Sequence, residues 1–206
     1  VWVQTYRRPR EVVACVESLR GAGLPITVIH PADERHGVAG TTTLALPHEW
    51  SHRGAGPPRA LAGLMATALG HDFMVIVEDD ARIRNPKGIM MLVEGLFSYP
   101  RLATLQVRSA FPLSTTHHQM LTSEIEKYGA MGIIFAVHLG SYHEVGGFDP
   151  KLTRLEDVDL GIRLKVAGYY LGSHHGVKAS HQNYSAGGLS VLEARGTEDK
   201  GLNKKR

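Results

Sequence analysis

VWVQTYRRPREVVACVESLRGAGLPITVIH, residues 1–30, decides the fold. VWVQTY is apolar and β-rich, and RRPR follows it. Pro9 suits the first turn of a helix, where its missing N–H costs nothing. REVVACVESLR then places apolar residues at 12, 13, 16 and 19, a helical spacing, before Gly21 and Gly23 supply the stop. LPITVIH (24–30) reads as a second strand. Strand, helix, strand over this length is a βαβ unit, which predicts a parallel sheet with helices packed on it.

Outward from that unit, residues 31–58 loosen into a loop-rich stretch of prolines, glycines and histidines. PRALAGLMATALG (58–70) reads as a second helix and runs straight into the strand DFMVIVEDD (72–80). A helix over roughly 87–98 and a strand in RLATLQVRSA (101–110) come next. MGIIFAVHLG (131–140) is a further strand or buried segment. The polar stretch 109–130 is expected to be an acceptor-binding or lid loop. EDVDLGIRLKVAG (156–168) is an amphipathic helix, with Leu155, Val158, Ile162 and Val166 as its expected buried stripe. Asp159 and Arg163 stand i, i+4 and can pair on its surface. No repeat or low-complexity linker interrupts the pattern, so residues 1–194 read as one α/β domain.

The 206 residues carry a net charge of +3, but its location matters. The tail RGTEDKGLNKKR (195–206) holds five of the 23 basic and two of the 20 acidic residues, leaving 18 of each in the body. Whole-molecule charge is therefore a weak argument for nucleic acid. The single cysteine, Cys15, excludes an internal disulfide and fits a reducing compartment, so a cytoplasmic protein is expected. Cys15 lies among the apolar positions of the first helix and reads as a small buried side chain. No apolar run approaches the roughly 20 residues of a membrane-spanning helix, and no secretory signal opens the chain.

VIVEDDARI (75–83) ends a β-branched strand with three carboxylates, Glu78, Asp79 and Asp80. Two charges about 4 Å apart at an effective dielectric of 20 repel by roughly 4 kcal/mol. Strand alternation sends Glu78 and Asp80 to one face and Asp79 to the other. The acids are either a solvated strand end or the holders of a hard cation such as Mg2+ or Mn2+, for which oxygen ligands are suited. They follow a buried strand at the end where open α/β sheets bind ligands, as do Thr5, Tyr6 and His30. A second cluster, Glu156 and Asp157, opens the helix at 156, where negative charge is also favoured for its own sake.

EVGGFDPKLTRLEDVDLGIRLKVAGY resembles the acceptor-side signature of the GT-A glycosyltransferases, in particular the family 2-like group. Three further pieces occur in that family's order. VWVQTYRRPREVVACVESL is similar to its first strand and nucleotide-contacting loop. RGAGPPRALAGLMATALGHDFMVIVEDDARI is similar to its arginine-bearing helix and Asp-x-Asp strand. VKASHQNYSAG is similar to its late segment with a metal-binding histidine. The resemblance spans about residues 1–188.

The resemblance implies a Rossmann-like α/β domain with a mixed, mostly parallel central sheet and helices on both faces. It implies a metal-dependent transferase that moves one sugar from a nucleotide-diphosphate sugar, a UDP-sugar first, to an acceptor hydroxyl with inversion. Asp80 and His181 would bind Mn2+ or Mg2+. Thr5, Tyr6, Arg7, Asp33 and Arg59 would serve the nucleotide. Glu78 takes the first motif position, where aspartate is usual, and Asp79 the variable middle one. Asp157 would be the general base, with Glu156 beside it. The acceptor is open among glycans, small molecules, proteins and hydroxylated DNA bases, the last used by a phage-encoded branch. Nucleotidyl transfer and a non-catalytic binding module of related fold are the alternatives.

Overall fold

The computed structural model describes residues 1–6, 8–34, 37–51, 53–109 and 133–181; of residues 108, 109, 175 and 181 it describes the backbone alone. Arg7, nearly all of the expected lid loop and the basic tail lie outside the described residues. Eight strands form one sheet: β1 (Trp2–Gln4), β2 (Thr27–His30), β3 (Thr42–Ala45), β4 (Phe73–Glu78), β5 (Ala81–Ile83), β6 (Leu102–Ser109), β7 (Ile134–His138) and β8 (Tyr170–His181). Their order is β3-β2-β1-β4-β7-β6-β8-β5. The β3–β2–β1–β4 run is parallel, as is β6 with β8, whereas β7 and β5 run antiparallel to their neighbours.

The helices are α1 (Pro9–Leu19), α2 (Gly56–Ala68), α3 (Gly88–Ser98), α4 (Leu139–Glu144) and α5 (Glu156–Val166). Alternate side chains of a strand point to opposite faces, so a sheet covered on both sides builds two cores. One gathers Val3, Val28, Val75 and Val77 with Val12, Cys15, Val16 and Leu19 of α1 and Ile89, Leu92 and Leu96 of α3. The other gathers Trp2, Ile29, Met74 and Ile76 with Ala62 and Ala66 of α2, Tyr142 of α4, and Leu160 and Leu164 of α5. Helices on both faces and a mostly parallel sheet are therefore found as the resemblance implies. Cys15 is buried on α1, and burial pushes its thiol up to about 12.

Three features depart from the sequence reading. The stretch expected as loop, 31–58, contains β3 and a short 3-10 turn, His48–Trp50. β3 is a mostly exposed edge strand, held by backbone pairing to β2 rather than by an apolar pattern. β8 was hidden for a similar reason: YLGSHHGVKASH has no clean alternation, yet it pairs with β6 on one side and β5 on the other. The third departure concerns α5. Leu155, Ile162 and Val166 of the expected buried stripe are 69%, 46% and 85% exposed. The buried residues are Glu156, Leu160, Gly161 and Leu164 instead. A carboxylate, Glu156, occupies the inward phase because an arginine waits inside. The Asp159–Arg163 pair does form, and Arg163 also donates to the carbonyls of Val145 and Gly147.

The first turn of α2 packs backbone to backbone against residues 149–152, just ahead of α5. A Cβ at Gly56 would stand 2.1 Å from the Leu152 carbonyl oxygen and 2.9 Å from that of Asp149. Neither obstacle is a flexible side-chain end. Overpacking of this kind costs about 1–3 kcal/mol. Gly56→Ala is therefore expected to lower unfolding free energy by that amount in urea titration, and an unchanged midpoint would show that this contact does not fix the segment.

Candidate functional site

β1, β2 and β4 run parallel side by side, so their carboxyl ends open on the same edge of the sheet. There the chain places Thr5, Tyr6 and Arg8 after β1, His30 and Asp33 at and after β2, and the three acids at the end of β4. The Thr5 N–H donates to the Ile29 carbonyl at 2.9 Å, which pins the β1 loop to β2. β4 ends at Glu78, so strand alternation reaches neither Asp79 nor Asp80; the expected grouping of Glu78 with Asp80 is not found, and the two aspartates share a partner instead.

Asp79, expected as the variable member of the triplet, is buried and the most thoroughly held. Thr5 Oγ1 donates to its Oδ2 at 2.9 Å and the Tyr6 N–H to the same oxygen at 3.4 Å. One nitrogen of Arg8 lies 3.1 Å from Asp79 Oδ1 and 2.6 Å from Asp80 Oδ2. Asp79 and Asp80 thus share a guanidinium. Burial pushes the Asp79 carboxyl up to about 6; Arg8, Thr5 and Tyr6 pull against that rise and Asp80 adds to it. Thr5 spends its hydroxyl on Asp79, so it positions an acid within the described residues.

Glu78 turns the other way, toward α2. Arg59 Nη2 donates to Glu78 Oε1 at 3.0 Å, and its Nη1 lies 2.6 Å from Glu156 Oε1. The guanidinium is enclosed, with the side chain 3% exposed, and it sits over the Phe135 ring at 5.4 Å and the Phe148 ring at 6.0 Å. Phe148 is held in turn, its N–H donating to Tyr142 Oη at 3.0 Å. Arg59 was expected near base or phosphates; the structure instead encloses it between the last residue of β4 and the first of α5. Burial raises the Glu156 carboxyl above its ordinary range, Arg59 opposes the rise, and Asp157 and Glu78 add to it. Asp157 is half-buried on the first turn of α5, and Asp33 is exposed on the loop after β2.

The sequence did not reveal Arg8 as the shared partner of two acids or the aromatic pair around Arg59. The RRPR run hid the first, since three arginines together read as surface charge or phosphate contacts. Phe148 was in view within GGFD, but its partner lies 89 positions away in the chain. Among the described residues no three His, Cys, Asp or Glu side chains gather in a metal-holding group. The backbone pairing of Ala81 with His181 sets His181 opposite the residue that follows Asp80.

No family model matches the chain, and no curated protein matches it. Solved structures do. A mannosyltransferase from Pyrobaculum calidifontis, PcManGT, in complex with GDP-Man and Mn2+, superposes with a TM-score of 0.69 at 14% identity, over 88% of this chain and 55% of that one. S. aureus TarS 1-349 gives 0.63 at 14% identity over 87% and 59%, and its complex with UDP-GlcNAc gives 0.63 at 13% over 87% and 57%. The likeness establishes the GT-A fold. The chain spans between 55% and 59% of the length of these proteins.

Asp79 gives a pH signature. Its folded carboxyl titrates at about 6 against an ordinary 3.8, so the fold favours the protonated form. The stability this contributes is full below the ordinary value and is lost as pH rises through the folded one. In metal-free buffer, wild-type stability relative to Asp79→Asn is expected to fall between about pH 4 and 6 and then level off. Urea titration of both proteins across that range measures it, and a flat difference contradicts the assignment.

Proposed function

We propose that this chain is a metal-dependent glycosyltransferase that moves one sugar from a nucleotide-diphosphate sugar to an acceptor hydroxyl, with Asp157 as general base. The observation that carries the reading is the pairing of two acidic ends. Asp79 and Asp80 stand at the strand-end edge where the fold binds ligands, and Glu156–Asp157 is tied to that same edge through Arg59.

The residues present fit a divalent cation. Asp79 and Asp80 offer hard oxygen donors and already share one positive group, the Arg8 guanidinium. Asp80 and His181 would hold the ion, which supplies charge stabilisation to a departing diphosphate. Tyr6, Arg7 and Asp33 would serve the nucleotide, and a UDP-sugar is the first donor to try. Arg8 offsets part of the charge of the acid pair, and its guanidinium would attract the phosphates of a donor. Asp157, on the first turn of α5, accepts the proton of the attacking hydroxyl, whose oxygen forms the new glycosidic bond as the nucleoside diphosphate leaves. A single in-line displacement of this kind inverts the anomeric carbon. The acceptor is a hydroxyl-bearing glycan, small molecule, protein or modified DNA base.

Incubation with a panel of UDP- and GDP-sugars and Mn2+ is expected to release the nucleoside diphosphate, and chelation to suppress that release. Absence of both release and binding with every donor of the panel would refute the reading. Replacing Asp157 by Asn is expected to cut transfer by about 10²- to 10⁴-fold, the range for a lost general base, with donor affinity held within about threefold. Parallel loss of transfer and donor affinity would remove Asp157 from that role.

A further inference from the structure

We propose that Arg59 is a positioning residue that sets the donor end of the site against the base end, and that Glu78 occupies a motif position where aspartate is usual because the longer side chain is what reaches Arg59. The inference rests on the transferase reading above and assigns Arg59 a role other than nucleotide contact.

Three observations carry it. Arg59 is sealed from solvent, so its charge is committed to the protein. Its two outer nitrogens go to different elements: one to Glu78, two residues before Asp80, and the other to Glu156, immediately before Asp157. Its guanidinium carbon lies over the Phe135 ring of β7 and the Phe148 ring ahead of α5, 5.4 and 6.0 Å from their centroids. A guanidinium is suited to this arrangement because its donors diverge in one plane while its faces remain free for aromatic contact. An ammonium is a point charge and cannot span both carboxylates in the same way.

The two carboxylates end β4 and begin α5, so a shift of Arg59 moves both ends of the site together. Glu156 has a second consequence. Drawn inward by Arg59, it sets the rotation of the first turn of α5 and so the direction in which the neighbouring Asp157 faces. A misplacement of about 1 Å in such a site costs on the order of 10²-fold in rate. Shortening Glu78 to aspartate removes one methylene and withdraws the carboxylate from Arg59 by roughly that distance.

The test uses Arg59→Lys, Glu78→Asp and the double variant, assayed beside wild type with whichever donor the wild type turns over. Each single variant is expected to lose about 10²-fold in kcat, with donor affinity within about threefold. The double variant is expected to be no worse than the poorer single one, since both break one link. Hydrogen exchange, read without any substrate, is expected to quicken at the first turn of α5 in Glu78→Asp, although residue 78 lies on β4. Wild-type kcat in Glu78→Asp overturns the proposal, because the length of the side chain then sets nothing in the site. Losses that multiply in the double variant overturn it as well, as does a loss confined to donor affinity. If Arg59→Lys fails to fold, Glu78→Asp with its exchange profile decides alone, its side chain being 30% exposed. Failure of the wild type to turn over any donor is a different result: it removes the transferase reading while the exchange measurement still tests the link.

Discussion

A buried guanidinium between two carboxylates organises this molecule. Removing Arg59 from water costs several kcal/mol before any partner is counted. Glu78 and Glu156 recover part of that cost through charge-assisted contacts at 3.0 and 2.6 Å, and Phe135 and Phe148 close the space around it. The geometry that results is rigid because each participant is held elsewhere. Glu78 is the last residue of a central strand, Phe135 lies in the antiparallel β7, and Phe148 donates its N–H to Tyr142. The end of β4 and the start of α5 therefore form one unit around a single side chain.

The neighbouring acid pair is built on different physics. Asp79 is buried, yet three donors converge on it, and Arg8 divides its charge between Asp79 and Asp80. Burial still wins on balance, since the Asp79 carboxyl titrates at about 6 and not below its ordinary value. Burial of Asp79 thus outweighs the donors and the guanidinium that face it. A group in that condition gains from any further positive charge brought alongside, which is the electrostatic situation a cation and its diphosphate partner would resolve. The Arg59 unit has the same charge count, one cation against two carboxylates within 3.0 Å, and burial raises its Glu156 carboxyl as well. The two clusters differ in enclosure: the Arg59 side chain is 3% exposed, whereas that of Arg8 is 13% exposed.

Much of this was legible in the chain. The first βαβ unit, the buried β4 and the acids at its end follow from apolar runs and the glycines and proline that punctuate them. Thr5, Tyr6, Asp33 and the three acids follow or end parallel strands, because strand ends are places that local patterns mark. What stayed hidden depends on partners far away in sequence. β3, β5 and β8 are strands by virtue of backbone pairing, and their side chains do not alternate in any telling way. Arg59 has the composition of a surface residue on an alanine-rich helix; only the convergence of residues 78, 135, 148 and 156 reveals it as interior.

α5 shows how strongly that interior charge weighs. On a helix of 3.6 residues per turn, the stripe Leu155, Val158, Ile162, Val166 lies roughly 150° from the face of Glu156, Leu160 and Leu164. Leu155 precedes the helix in a left-handed conformation, so burying the rest of the stripe would sequester three aliphatic side chains, each worth about 1.5–3 kcal/mol; the observed phase buries two. Hydrophobicity alone would turn the helix over. The observed phase gains the contact between Arg59 and Glu156, close packing at the buried Gly161, and the reach of Arg163 to Asp159 and to the carbonyls of Val145 and Gly147. Turning the helix over would strand Arg59 without its inner carboxylate, and breaking a buried pair on one side costs about 3–5 kcal/mol. That penalty is of the same size as the aliphatic burial forgone, so the polar contacts can decide the rotation. The same rotation fixes where Asp157 faces, so under the proposed function the setting of α5 bears on the base as well as on packing.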